Sequence, residues 1–137
     1  MHEPRELRVV AGLVVRAGLV LIARRSAAMD LAGHWEFPGG KIEAGETAAA
    51  ALVRELEEEL GIVVEPIEEL AVSRAPGRDR VIRLEGWRAR LLHGEPDARE
   101  HDAVLWVDPA RLAPAVLAPA DVPLLEALRR DPDARRS

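Results

Sequence analysis

The stretch "GKIEAGETAAAALVRELEEELGI", residues 40–62, holds Glu55, Glu57, Glu58 and Glu59 within five positions, although the whole chain carries a net charge of only -5. Carboxylates three and four apart on a helix repel by roughly 0.2–0.5 kcal/mol per pair. Something must offset that repulsion. Thr47 is placed to cap a helix start, alanine and leucine dominate as far as Leu60, and Gly61 stands where a left-handed C-terminal cap belongs. With about 100° between successive residues, Ala49, Leu52, Val53, Leu56 and Leu60 gather on one side. Glu55, Glu58 and Glu59 gather on a neighbouring side, while Glu57 points elsewhere. Such a set offers the hard oxygen ligands that magnesium or manganese accepts while keeping several waters. A solvated acidic face is the competing reading. The surroundings favour a ligand: Pro38, Gly39 and Gly40 form a turn able to bring backbone amides close, Glu46 precedes the helix, and Arg54 lies beside Glu58.

On the N-terminal side, Val9–Val15 and Leu19–Ala23 are aliphatic runs separated by "RAG" at 16–18, which predicts a β-hairpin. Residues 26–34 read as a loop. On the C-terminal side, Val63–Arg74 and Val81–Leu92 read as strands joined across "APGRDR", and "AVLWV" at 103–107 as another. Asp108 and Pro109 suit the opening of a brief helical turn through Leu112. A terminal helix follows Asp121, with Leu124, Leu125 and Leu128 on one face, and the tail "DPDARRS" is expected to fray.

At 137 residues the chain fits a single domain, 1–137. The absence of cysteine excludes disulfides, thiolate metal sites and cysteine nucleophiles. Ala11–Ala23 is interrupted by Arg16 and falls short of the roughly 20 residues a membrane helix needs, so a cytoplasmic protein without a membrane partner is expected. Acidic residues outnumber basic ones, 24 to 19, which argues against a nucleic-acid partner. Either a monomer or a homodimer is compatible with these features.

Residues 40–62 match the Nudix signature Gx5Ex7REUxEExGU, where U is a bulky aliphatic. Gly40 and Glu46 fall in place, then "RELEEELGI" from Arg54 to Ile62, so all nine specified positions agree. The wider chain resembles the MutT branch of that family and its CTP pyrophosphohydrolase relatives, through "WEFPGGKIEAGET", "ARRS" after the second strand, Glu100 six residues before Trp106, and "LAPADVPLLEAL". The resemblance implies an α/β (α+β) Nudix fold: a mixed β-sheet sandwiched between helices in an α/β/α arrangement, with the signature forming a loop-helix-loop.

It further implies Mg2+ or Mn2+ held by Glu55, Glu58, Glu59 and Glu100 together with Gly40. Glu55, Glu58, Glu100 and Arg54 would carry the chemistry, hydrolysis of a nucleoside triphosphate to the monophosphate and pyrophosphate. Arg25, Lys41, Gly39 and Gly40 would approach phosphate, and Trp35 and Phe37 would wall the base, with core packing open to Phe37. His101, beside Glu100, is read as solvated, with a minor ligand role as the alternative. Asp121 stands where bacterial 8-oxo-dGTPases commonly place Asn. An ionised Asp can only accept hydrogen bonds. It would read the base, or else cap the last helix. Sanitation of the nucleotide pool through 8-oxo-dGTP is the leading expectation, with CTP, dCTP or 5-methyl-dCTP second and a non-catalytic nucleotide-binding domain third.

Overall fold

The computed structural model describes residues 6–134. Seven strands and two α-helices follow one another as β1 (Glu6–Arg16), β2 (Leu19–Arg24), β3 (Trp35–Glu36), β4 (Gly39–Lys41), α1 (Ala48–Leu60), β5 (Val63–Pro76), β6 (Val81–His93), β7 (Ala103–Val107) and α2 (Val122–Arg130). Two 3-10 turns, Pro114–Val116 and Pro119–Asp121, precede α2.

The sheet runs β3-β2-β1-β6-β5, with β4 pairing to β1 and β7 to β2. It is mixed because β1 and β6 are parallel while the other pairs are antiparallel. As the central strand, β1 is covered on both faces, which is why Val10–Val15 reads as unbroken apolar sequence with no alternation. On one face Val10, Val14 and Leu21 meet Leu52, Leu56 and Leu60 of α1. On the other, Leu13, Val15 and Ile22 meet Leu124, Leu125 and Leu128 of α2. The expected α/β/α layering is therefore present. Close helix approach needs bare backbone below it: a Cβ on Gly12 would lie 2.9 Å from Leu52 Cδ1, and one on Gly86 2.6 Å from Leu124 Cδ2.

The predicted hairpin forms, turning at Ala17 (φ 52°) and Gly18 (φ 79°), the paired positive values of a type I′ turn. The two strands joined across "APGRDR" and the short strand at 103–107 also form. Asp108–Leu112 forms the brief turn expected, with Ala110 N–H donating to Asp108 Oδ1 at 2.9 Å and Arg111 and Leu112 N–H both donating to Asp108 O. Two details differ from expectation. Gly39–Lys41 is a short strand on β1 where the sequence predicts a turn at Pro38–Gly40, and Trp35–Glu36 is a short strand on β2. The start of the C-terminal tail is pinned: Asp131 lies 3.0 Å from the buried Arg88 guanidinium and Ala134 is buried. Residues 135–137, where fraying was also expected, lie outside the described residues.

Candidate active site

Helix α1 begins as its sequence dictates, with the Thr47 hydroxyl accepting from Ala50 N–H at 3.1 Å, and ends in Gly61 at φ 68°. Arg54 ties this helix to the loop before it. Its Nε and Nη2 clasp the two oxygens of Glu46 at 2.8 and 2.9 Å, its Nη2 also donates to Lys41 O at 3.0 Å, and its Nη1 reaches Glu55 Oε1 at 2.8 Å. That guanidinium holds the Glu46 carboxyl well below the usual carboxylate range. Glu58 is a distant fourth partner at 3.4 Å, so the expected pairing of Arg54 with Glu58 is secondary to those with Glu46 and Glu55. The paired glycines of the turn are explained by crowding. A Cβ on Gly39 would strike the Val10 carbonyl oxygen, and one on Gly40 would strike the Glu55 carboxylate.

The acidic residues of α1 divide between two flanks. Glu58 is exposed and borders an open depression on the outer side of the helix with Glu57 and Arg99. Glu59 faces inward, onto a cavity of about 300 Å³ that Gly40, Arg25, Glu36, Phe37 and Asp121 also line. Burial first, then the charges of Glu55, Glu100 and Glu36, push the Glu59 carboxyl up to about 8. Its Oε2 is buried without a hydrogen-bond partner. Among the described residues, no three or more His, Asp or Glu side chains are gathered as a ready-made metal site. The orphaned oxygen of Glu59, in a field of like charge, is nonetheless what a cation would satisfy, and the all-oxygen donor set suits magnesium or manganese.

The rest of the cavity corrects several sequence expectations. His101 is not solvated; its ring is buried, with Nε2 2.8 Å from Glu36 Oε2. Glu36 also receives Arg25 Nη1 at 2.6 Å, and Arg25 Nε donates to the Asp30 carbonyl. Sequence reading overlooked Glu36, which lines the cavity while its strand neighbour Trp35 does not. Phe37 is both core and cavity wall. Trp35 does not line the cavity: it packs on the α2-side core under the Arg24 guanidinium, 5.7 Å from its ring centre. Lys41 is exposed and does not line the cavity either.

Asp121 does not cap α2 with its side chain. The carboxyl is turned inward and Oδ2 accepts the Phe37 N–H at 2.8 Å. Burial pushes it up to about 7, so near neutral pH it exists in both forms and can donate as well as accept. The premise that it only accepts is therefore too narrow. No described helix is long and apolar enough to cross a membrane.

The NUDIX domain model matches residues 6–128. The chain is 46% identical over 121 residues to CTP pyrophosphohydrolase of Escherichia coli (strain K12), covering 88% of this chain and 90% of that protein. It is 49% identical over 117 residues to putative 8-oxo-dGTP diphosphatase 2 of Mycobacterium tuberculosis (strain ATCC 25618 / H37Rv), covering 82% and 81%. The solution structure of the E. coli ORF135 protein superposes with a TM-score of 0.83 at 44% identity, covering 92% of this chain and 90% of that one. A signature complete at every specified position, carried on the layered sheet of the MutT-type structures, places this chain in the Nudix hydrolase family.

Proposed function

We propose that the protein is a divalent-cation-dependent nucleoside triphosphate pyrophosphohydrolase, releasing pyrophosphate and the nucleoside monophosphate, with cytidine nucleotides as its preferred substrates. The observation that carries this reading is the placement of Glu59 and Gly40, with Glu55 against Gly40, in the wall of a cavity that Phe37 and Asp121 also line. Glu55, Glu59 and Glu100 would hold Mg2+ or Mn2+, beside the Gly40 backbone. A cation there supplies charge neutralisation for the polyphosphate and a more acidic water. Arg25, fixed by Glu36, presents the guanidinium suited to a phosphate oxygen. Glu58, exposed and only loosely held at 3.4 Å, is the carboxylate free to accept a proton from the attacking water. Arg54 keeps Glu55 in place throughout.

At the base, Asp121 has one oxygen engaged by Phe37 N–H and the other left for the substrate. Cytosine offers an exocyclic amine as donor, which suits that oxygen, and the E. coli relative named CTP pyrophosphohydrolase aligns over nearly the whole chain. This order reverses the expectation from sequence. Oxidised guanine remains the second reading, favoured by the M. tuberculosis relative and by the capacity of protonated Asp121 to donate. Comparing kcat/KM for CTP, dCTP, 5-methyl-dCTP, 8-oxo-dGTP and dGTP, with magnesium and with chelator, tests both. Cytidine nucleotides should lead by about tenfold, a difference of ~1.4 kcal/mol in transition-state binding. A lead for 8-oxo-dGTP would restore the other order, and no pyrophosphate from any of the five would overturn the proposal.

A further inference from the structure

The segment from Asp97 to Asp102 is tied down on both sides of Glu100. On the first side, Asp97 N–H donates to Leu60 O at 3.0 Å, and Arg99 Nη1 donates to Glu57 O at 3.3 Å and Glu58 O at 3.2 Å. These carbonyls belong to the last turn of α1, where the helix itself supplies no partner for most of them. Gly61 makes room for the contact: a Cβ there would lie 2.7 Å from Arg99 Nη2. On the other side, Asp102 N–H donates to Arg24 O at 3.0 Å, and the buried His101 ring places Nε2 2.8 Å from Glu36 Oε2. A ring N–H facing a carboxylate makes a charge-assisted bond, stronger than a neutral one. Glu36 is itself held by Arg25 at 2.6 Å. One end of the segment is thus fastened to the helix that carries the acidic cluster, and the other to the strands across the cavity.

Glu100, exposed and near enough to Glu59 for their charges to interact, would be driven away from the cluster by like-charge repulsion if its backbone were free. We propose that Arg99 and His101 are positioning residues that hold Glu100 against the acidic face of α1. The proposal rests on the reading of Glu100 as part of the cation site. It differs from that reading in naming residues that act through Glu100, of which His101 also lines the cavity and Arg99 does not.

The test is a double-mutant cycle on E100Q and H101L with two readouts: kcat and KM of pyrophosphate release, and Mn2+ affinity by electron paramagnetic resonance without substrate. E100Q and H101L should each weaken Mn2+ binding and lower kcat by about tenfold, the lower end of what partners of metal ligands usually cost, with KM for nucleotide little changed. The double variant should be no worse than E100Q alone, to within about twofold. H101Q, whose amide can stand where Nε2 stands, should recover to within about threefold of wild type. R99A, changed at an exposed side chain, should show a smaller loss that likewise vanishes in the E100Q background. If H101L or R99A costs the same factor with or without Glu100, or leaves Mn2+ affinity untouched, the positioning role is wrong while the cation site stands. If E100Q binds Mn2+ and turns over as wild type does, the reading of Glu100 fails and the proposal falls with it. Should H101L not fold, R99A, measured with and without Glu100, decides by the same criteria.

Discussion

Position 59 holds a carboxyl with one oxygen cut off from water and three other carboxylates close by, so its ionised form is disfavoured by its surroundings. Glu59→Gln removes that charge but keeps the shape. In chelator at pH 8 it should melt above wild type, while magnesium-dependent pyrophosphate release falls by about a hundredfold or more. Scanning calorimetry and a pyrophosphatase-coupled phosphate assay on the same sample check both. Asp121 gives a second residue-level prediction, with the opposite logic to a salt-bridged carboxylate. Burial raises it in the folded state to about 7 from an ordinary 3.8, so between these limits the folded state binds more protons than the unfolded one. Its contribution is fully present below pH 4 and is lost as pH rises through 7, at up to roughly 1.4 kcal/mol for each pH unit crossed. Asp121→Asn, which keeps an acceptor for Phe37 N–H, should therefore out-melt wild type at pH 8, with the gap closing by pH 4–5. A gap independent of pH would show that the carboxyl is not titrating there.

Helix α1 is the element whose outline is plainest in the sequence, because its cap, its apolar face and its left-handed terminus are all local features. Gly61 serves both the φ of 68° and the Arg99 contact. Gly61→Ala should cost about 1 kcal/mol, a fall of a few degrees in Tm, from the backbone alone. Displacing the guanidinium should in addition weaken Mn2+ affinity, which a pure backbone effect would not. Strands β3 and β4 were the elements sequence reading missed. Two and three residues long, they carry too little pattern to announce themselves, and they are strands only because β2 and β1 offer them partners. Leu52→Ala, in contrast, lies squarely in the readable part. It empties a fully buried site between α1 and the sheet, and urea melts should record a loss of about 2–5 kcal/mol.

Across the whole molecule, the proposed cation site joins an element of local origin to groups brought from far along the chain. Magnesium that binds the folded protein alone should raise Tm with concentration, by about 2.7 kcal/mol at a hundred times its dissociation constant, and should do so far less in Glu59→Gln. The helix with its carboxylates, the hairpin, the family and the layered fold were legible from the chain alone, since caps, periodicity and signature spacing act over a few residues. The direction in which Asp121 turns, the burial of His101, the role of Glu36 and the departure of Trp35 from the cavity were not. Each depends on partners as many as 84 positions distant, such as Phe37 for Asp121, and on exclusion from water that exists only once the sheet is covered on both faces. Desolvation and long-range pairing have no local signature, so folding alone assigns them.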